Sequence, residues 1–200
     1  MPEEPLPIPG YDPDLLQPPF SPAGSRAHQV ALNDAAWEMI EGGTLEAASR
    51  LSGDWLRRQG WSVVLGSIYV TEGADDRLAA AFRRHARPDL VMVVVSGRQV
   101  PRPSAVFRLP AEGGALRRAI ASTPGNDLAI FPKDRSHLLF VAEDRYIAVA
   151  GPPGFLRDAI DLKIARDGLA ETSGMPSASQ AGDWFAEELA HCSPFLLDGA

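Results

Sequence analysis

The stretch Ala148–Ile160, AVAGPPGFLRDAI, runs from an apolar segment through a glycine-rich turn into a helix-like pattern. That is the order of a phosphate-binding turn, in which consecutive backbone N–H groups at a helix start converge on an anion. Pro152 and Pro153 have no N–H, so two donors are missing where an anion would need them. The lysine and hydroxyl of a P-loop are also absent, since Leu156-Arg157 follow. The segment reads better as a packing turn. Gly151 turns the chain, Pro153 sits in the first helical turn, and Phe155, Ala159 and Leu162 or Ile164 face a core.

Other chemistries have weaker footholds. His28, His85, His137 and His191 are far apart, and there is neither a CxxC nor an HxxxH pair. No metal and no cofactor is expected. His191-Cys192 are helix neighbours and do not converge on one ion. No G-x-S-x-G elbow occurs; GWSVV (60–64) lacks the second glycine and opens a strand. Ser136-His137 would point to opposite faces if both lay in a strand. Cys192 reads as a small buried thiol. Glu143-Asp144 suits a solvated hairpin turn. No catalytic residue is assigned.

Charge segregation is the feature that stands out. Between Arg77 and Arg118 lie Arg77, Arg83, Arg84, Arg87, Arg98, Arg102, Arg108, Arg117 and Arg118, opposed only by Asp89 and Glu112. This segment carries +7 in a chain of net charge −7, so the remainder carries −14. Neither the first 20 residues nor the last 33 contain a Lys or Arg. The bland account is a set of solvated faces that pair with the acidic remainder. The functional account is a basic surface formed by Arg83, Arg84, Arg87, Arg98 and Arg102, which would receive an acidic protein or a small anion. Phe82 and Phe107 are the segment's only aromatics, so it lacks the stacking platform of a single-strand binder. The acidic total also argues against a nucleic-acid partner.

The elements that must position these residues follow from pattern and punctuation. Residues 1–24 hold a Pro-rich extended arm, with eight of the 18 prolines in the first 22 residues. Ser25 caps a helix to about Glu41 with Val30, Trp37 and Ile40 on one face. Gly42-Gly43 separates it from a second helix, Thr44 to Gln59, predicting a helical hairpin. Strands are predicted at 61–71, 90–95, 105–109 and 127–131, and a hairpin at 137–151. LVMVVV (90–95) has no polar alternation and reads as a strand buried on both faces. Helices are predicted from Asp75 or Asp76 to Ala86, from Gly113-Gly114 to Ser122, from Pro153 to Asp167, and over 183–192. The expected organisation is one α+β domain over 25–167, a single mixed β-sheet with helices packed on it. A linker (168–182) and a C-terminal helix and tail (183–200) follow.

At 45% hydrophobic and 22% charged residues, the composition is that of a globular chain. One cysteine excludes an intramolecular disulfide and fits a reducing compartment. The acidic, Pro-rich start lacks the features of a signal peptide, and no apolar run suits a membrane span. Lysine occurs only at 133 and 163, the arginine bias of a GC-rich bacterial genome. The expectation is a non-enzymatic protein-binding module of a bacterial cytoplasm, immunity-type or adaptor in role, whose partner has an acidic surface. The alternatives are a small-anion binder or enzyme that holds a carboxylate or phosphate with the same arginines, and a structural subunit of a larger assembly.

Overall fold

Strand β5 (Asp89–Val95) is the centre of the fold, and every residue from Leu90 to Val95 is at most 3% exposed. Its side chains alternate between two apolar layers. Leu90, Met92 and Val94 enter one, and Val91, Val93 and Val95 enter the other. A strand apolar on both faces must be covered on both, and the computed structural model shows a sheet sandwiched between helices. The structure describes residues 17–42, 49–66, 73–86, 89–95, 106–123, 126–142, 146–165, 167 and 180–198, the side chains of 180–184 excepted.

The chain order is β1 (Ser21–Pro22), α1 (Arg26–Met39), β2 (Ile40–Glu41), β3 (Arg50–Leu51), α2 (Gly53–Gln59), β4 (Ser62–Gly66), α3 (Ala74–His85) and β5. It continues with β6 (Val106–Pro110), α4 (Gly113–Ala121), β7 (Asp127–Pro132), β8 (Leu138–Ala142), β9 (Tyr146–Gly151), α5 (Pro153–Ala159) and α6 (Gln180–Cys192). The main sheet has the order β1-β6-β5-β7-β8-β9-β4, and β2-β3 form a separate pair. The α+β class is as the sequence predicts. The expected mixture of strand directions reduces to one parallel bridge, Val63 to Leu196, because every ladder between named strands is antiparallel. Register is set by the apolar pattern: Met92 lies opposite Phe107 and Ile130, and Leu139 opposite Val149.

Helices α3, α4 and α5 cover one face through Leu78, Phe82, Leu116, Phe155 and Leu156. Helices α1, α2 and α6 cover the other through Leu32, Met39, Trp55, Leu56 and Phe185. Ser25 caps α1, accepting from the His28 N–H, as predicted. The buried face of α1 is Leu32, Ala36 and Met39, however, and Val30 is 41% exposed. The helix also stops at Met39, because Ile40–Glu41 pair with Arg50–Leu51. Ser52 accepts from the Trp55 N–H and starts α2 at Gly53; the proposed helix start at Thr44 lies outside the described residues. Likewise α5 ends at Ala159, with Ile160 extended before the chain turns helical again over 162–165; Leu162 packs on the core as predicted, whereas Ile164 is 48% exposed. The turn at Glu143-Asp144 lies outside the described residues, but β8 and β9 pair up to Ala142 and Tyr146 as a hairpin requires.

Two close approaches brace the α3–α5 side of the sheet. Gly113 opens α4 where a Cβ would lie 2.8 Å from the Asp76 backbone nitrogen, so any side chain there would drive α3 and α4 apart. The end of the N-terminal arm belongs to the core. Phe20 is 3% exposed in the α3–α5 layer, Ser21–Pro22 pair with Arg108 and Phe107 at the sheet edge, and the Ala23 N–H reaches the Val106 carbonyl. A two-residue strand carrying proline suits an edge. Most of the predicted arm, residues 1–16, lies outside the described residues. Phe20→Ala is expected to lower unfolding free energy by about 3 kcal/mol, the usual cost of emptying a buried phenyl site. A urea or thermal melt measures it, and an unchanged midpoint would show that the aromatic contributes nothing to the core.

Candidate functional site

The Gly151–Gly154 turn is a packing device. Pro152 precedes α5, Pro153 occupies its first turn, and the Pro152 carbonyl accepts from the Leu156 N–H. A Cβ on Gly151 would sit 3.0 Å from the Phe155 ring and 3.1 Å from the His137 ring. A side chain there would press on those two rings, whose centroids are 4.0 Å apart, and they would have to shift by a few tenths of an ångström. Phe155 also packs on Phe82 at 5.3 Å.

His137 is 3% exposed and sits among these aromatics. Ser136 and His137 precede β8, so strand alternation does not govern them, and the expectation that they diverge fails. Ser136 Oγ lies 2.8 Å from His137 Nδ1. The direction of this hydrogen bond decides its chemistry. Asp134 Oδ1 accepts from the Ser136 N–H at 3.1 Å and from the Ser136 hydroxyl at 2.7 Å. The hydroxyl's one proton is therefore held by the carboxylate, and His137 must donate its Nδ1–H to Oγ. A nucleophilic serine needs the opposite polarity, donating to the imidazole. Burial, and next the neighbouring His85, lower the His137 pKa from 6.5 to about 4, with Asp134 opposing them in part. The ring is a neutral donor at pH 7 that fixes the start of β8.

Beside it, His85 and Arg84 at the end of α3 converge on Asp158 of α5. His85 Nε2 and Arg84 Nη1 donate to the same oxygen, Asp158 Oδ2, at 2.7 and 2.8 Å. The His85 hydrogen bond, and then that of Arg84, hold the Asp158 carboxyl below its ordinary range. Arg77, two turns earlier on α3, donates to the Arg157 and Asp158 carbonyls at 3.0 Å each. These are carbonyls that the end of a helix leaves without partners. It also lies 3.6 Å from Asp161.

The other arginines of the basic segment are employed similarly where they are described. Arg83 donates to the Ala111 carbonyl. Arg117 Nε donates to Asp75 Oδ2 at 2.7 Å, pairing α4 with a carboxyl that is 6% exposed. Arg118 donates to the Pro18 carbonyl at 2.9 Å and lies over the Phe20 ring. Arg108 is exposed on β6. Of the five residues expected to form a basic surface, Arg83 and Arg84 thus serve helix packing, and Arg87, Arg98 and Arg102 lie outside the described residues.

On the opposite face, Cys192 is fully buried and its thiol donates to Glu188 Oε1 at 3.4 Å. Burial, reinforced by that carboxyl, pushes the thiol pKa far above the normal cysteine value, so it supplies no thiolate nucleophile. Glu188, 5% exposed, is a buried acid that composition and motif searching passed over. Its signal was available in the spacing: Phe185, Glu188 and Cys192 share one helical stripe, and the middle member is an acid. Among the described residues, no group of three or more His, Cys, Asp or Glu side chains is placed to hold a metal ion.

The two acid-side responses separate by pH. His137 has a depressed folded pKa, so it contributes stability above pH 6.5 that is lost as pH falls towards about 4. That shift corresponds to about 3 kcal/mol once both values are passed. Asp158 contributes stability above the ordinary carboxylate value and loses it only at lower pH still. His137→Gln is therefore expected to flatten the stability curve between pH 6.5 and 4 while leaving the lower limb. Denaturant melts across that range measure it, and an unaltered slope would show that His137 takes up its proton as readily in the folded chain as in the unfolded one.

The chain matches no protein-family model, no curated protein and no solved structure, so its function is read from its own residues.

Proposed function

We propose that the chain is a protein-binding module without chemistry of its own, which receives an acidic protein surface through arginines of the 77–118 segment. The role is of immunity or adaptor type in a bacterial cytoplasm. What carries the reading is the division of labour among those arginines. Arg77, Arg83, Arg84, Arg117 and Arg118 hold α3, α4, α5 and the end of the arm together. Arg108 is exposed, and Arg98 and Arg102 belong to the segment joining β5 to β6. Arg98 and Arg102 stand in the sequence next to the most buried strand, on a connection that carries Pro101 and Pro103; like Arg87, they lie outside the described residues. Connections anchored on a rigid sheet are where binding groups are commonly presented. The locked Ser136 hydroxyl and the protonated Cys192 thiol support the choice of binding over acyl or thiol chemistry.

Arg98→Ala combined with Arg102→Ala is expected to weaken association with a co-purifying acidic protein while shifting the melting midpoint little. Charges at the rim of an interface act mainly on association rate and salt dependence. Titration of wild type and double variant against the co-purified partner, at low and high salt, measures both. Unchanged, salt-independent affinity in the variant would refute the reading. Retention of a small carboxylate or phosphate instead of a protein would transfer the same arginines to an anion site.

A further inference from the structure

Helix α6 and its tail are joined to the sheet in an unusual way. Among the described side chains of α6, Phe185, Glu188 and Cys192 are buried, at spacings of three and four, which puts them on one helical stripe. Ala186, Glu187 and Ala190 face solvent. The seam between helix and sheet thus has a carboxyl at its middle, where an aliphatic residue would dock at no desolvation cost. Beyond the helix, a single turn (Ser193–Phe195) leads into Leu196, which bridges Val63 on the edge strand β4. The Leu197 N–H donates to the Val63 carbonyl at 3.0 Å. Leu196 packs on the α1–α2 side of the sheet and Leu197 is buried on the α3–α5 side, so the tail wraps the edge of β4.

The groups facing Glu188 come from three elements. The Cys192 thiol of α6 donates to its Oε1 at 3.4 Å, and the Tyr146 hydroxyl of β9 lies near enough to favour its anion. His191 of α6 and Arg50 of β3 attract its anion, though both have other partners: His191 Nε2 donates to the Leu51 carbonyl at 2.8 Å, and Arg50 donates to Glu41 of β2 at 2.9 Å. Glu41 in turn lies 3.9 Å from His191. Arg57 of α2 lies over the Phe195 ring just beyond. The groups nearest the carboxyl are therefore neutral, and Arg50 and His191 make their hydrogen bonds elsewhere.

We propose that α6 and the tail to Asp198 form a latch over the sheet that is gated by ionisation of Glu188. The latch docks with the carboxyl neutral and loosens as it ionises, uncovering Cys192 and the edge of β4. The direction follows from burial, which outweighs all the favourable contacts and raises the pKa of this carboxyl. A raised folded value means that the stabilisation is complete at acid pH and is lost as pH rises through that value. The dependence is opposite in sign to that of His137, so the two are separable by variant and by the site observed.

The chain has one cysteine, and it lies inside the latch, so thiol labelling reports opening directly. The measurement is the rate at which Cys192 reacts with a small maleimide, divided into the rate for the same chain unfolded in denaturant at the same pH. The ratio removes the intrinsic ionisation of the thiol. Protection in the wild type is expected to fall, by up to about tenfold per pH unit, between the ordinary carboxylate range and the raised docked value of Glu188, and to level off above it. Glu188→Gln, and separately Glu188→Leu, should hold protection constant across the same range, and His191→Gln should keep the wild-type slope. Circular dichroism of each protein locates global unfolding. A pH-independent wild type, a slope that survives in both Glu188 variants, or one abolished only by His191→Gln would overturn the proposal. So would labelling that tracks global unfolding.

Discussion

Burial of both faces of the β5 strand is the constraint from which the architecture follows. A strand with valine, leucine and methionine on both sides has no face to offer water. Its neighbours must continue the sheet, and helices must cover it above and below. Each face gathers its own apolar layer, with α3, α4 and α5 on one and α1, α2 and α6 on the other. The sheet runs antiparallel throughout its ladders; β7, β8 and β9 pair in sequence order, whereas β1 with β6 and β4 with β9 pair strands far apart in the chain. Its edges are managed economically. The proline-bearing β1 caps one side and the C-terminal tail runs along the other.

The arginines do much of the joining between elements on the α3–α5 face. Their forked guanidinium groups reach backbone carbonyls at the ends of helices as well as carboxylates. Arg77 satisfies two carbonyls of α5, and Arg118 reaches a carbonyl of the arm. A charge excess that sequence alone presents as a binding surface is thus partly a device for holding helices in place. The proposed binding surface keeps the exposed Arg108 together with Arg87, Arg98 and Arg102, which lie outside the described residues.

The polar groups inside the two layers answer to pH in opposite directions for one reason. Burial disfavours charge, which lowers the pKa of a histidine and raises that of an acid. His137 is held neutral as a donor to Ser136, and its neighbour Asp134 claims the serine proton. Glu188 is held among a tyrosine, a thiol and distant cations. The first geometry secures the start of a strand. The second places a titratable group where a helix meets the sheet.

The apolar runs at 90–95 and in β7, β8 and β9, and the cap at Ser25, are local signals, and sequence alone determined those elements. It also determined that Pro152 and Pro153 deny an anion two backbone donors. Tertiary structure decided what depends on distant partners. Leu51 and Trp55 keep helical spacing, yet Arg50–Leu51 pair with Ile40–Glu41 and Ser52 restarts the helix, because strand pairing and a cap together outweigh a continuous apolar period. Arg84 finds Asp158 across 74 residues and Arg118 finds Pro18 across 100, separations that leave no trace in local spacing. The polarity of the Ser136–His137 bond depended on a third group, Asp134, competing for one proton. The state of Glu188 depended on a burial that only the docking of α6 creates.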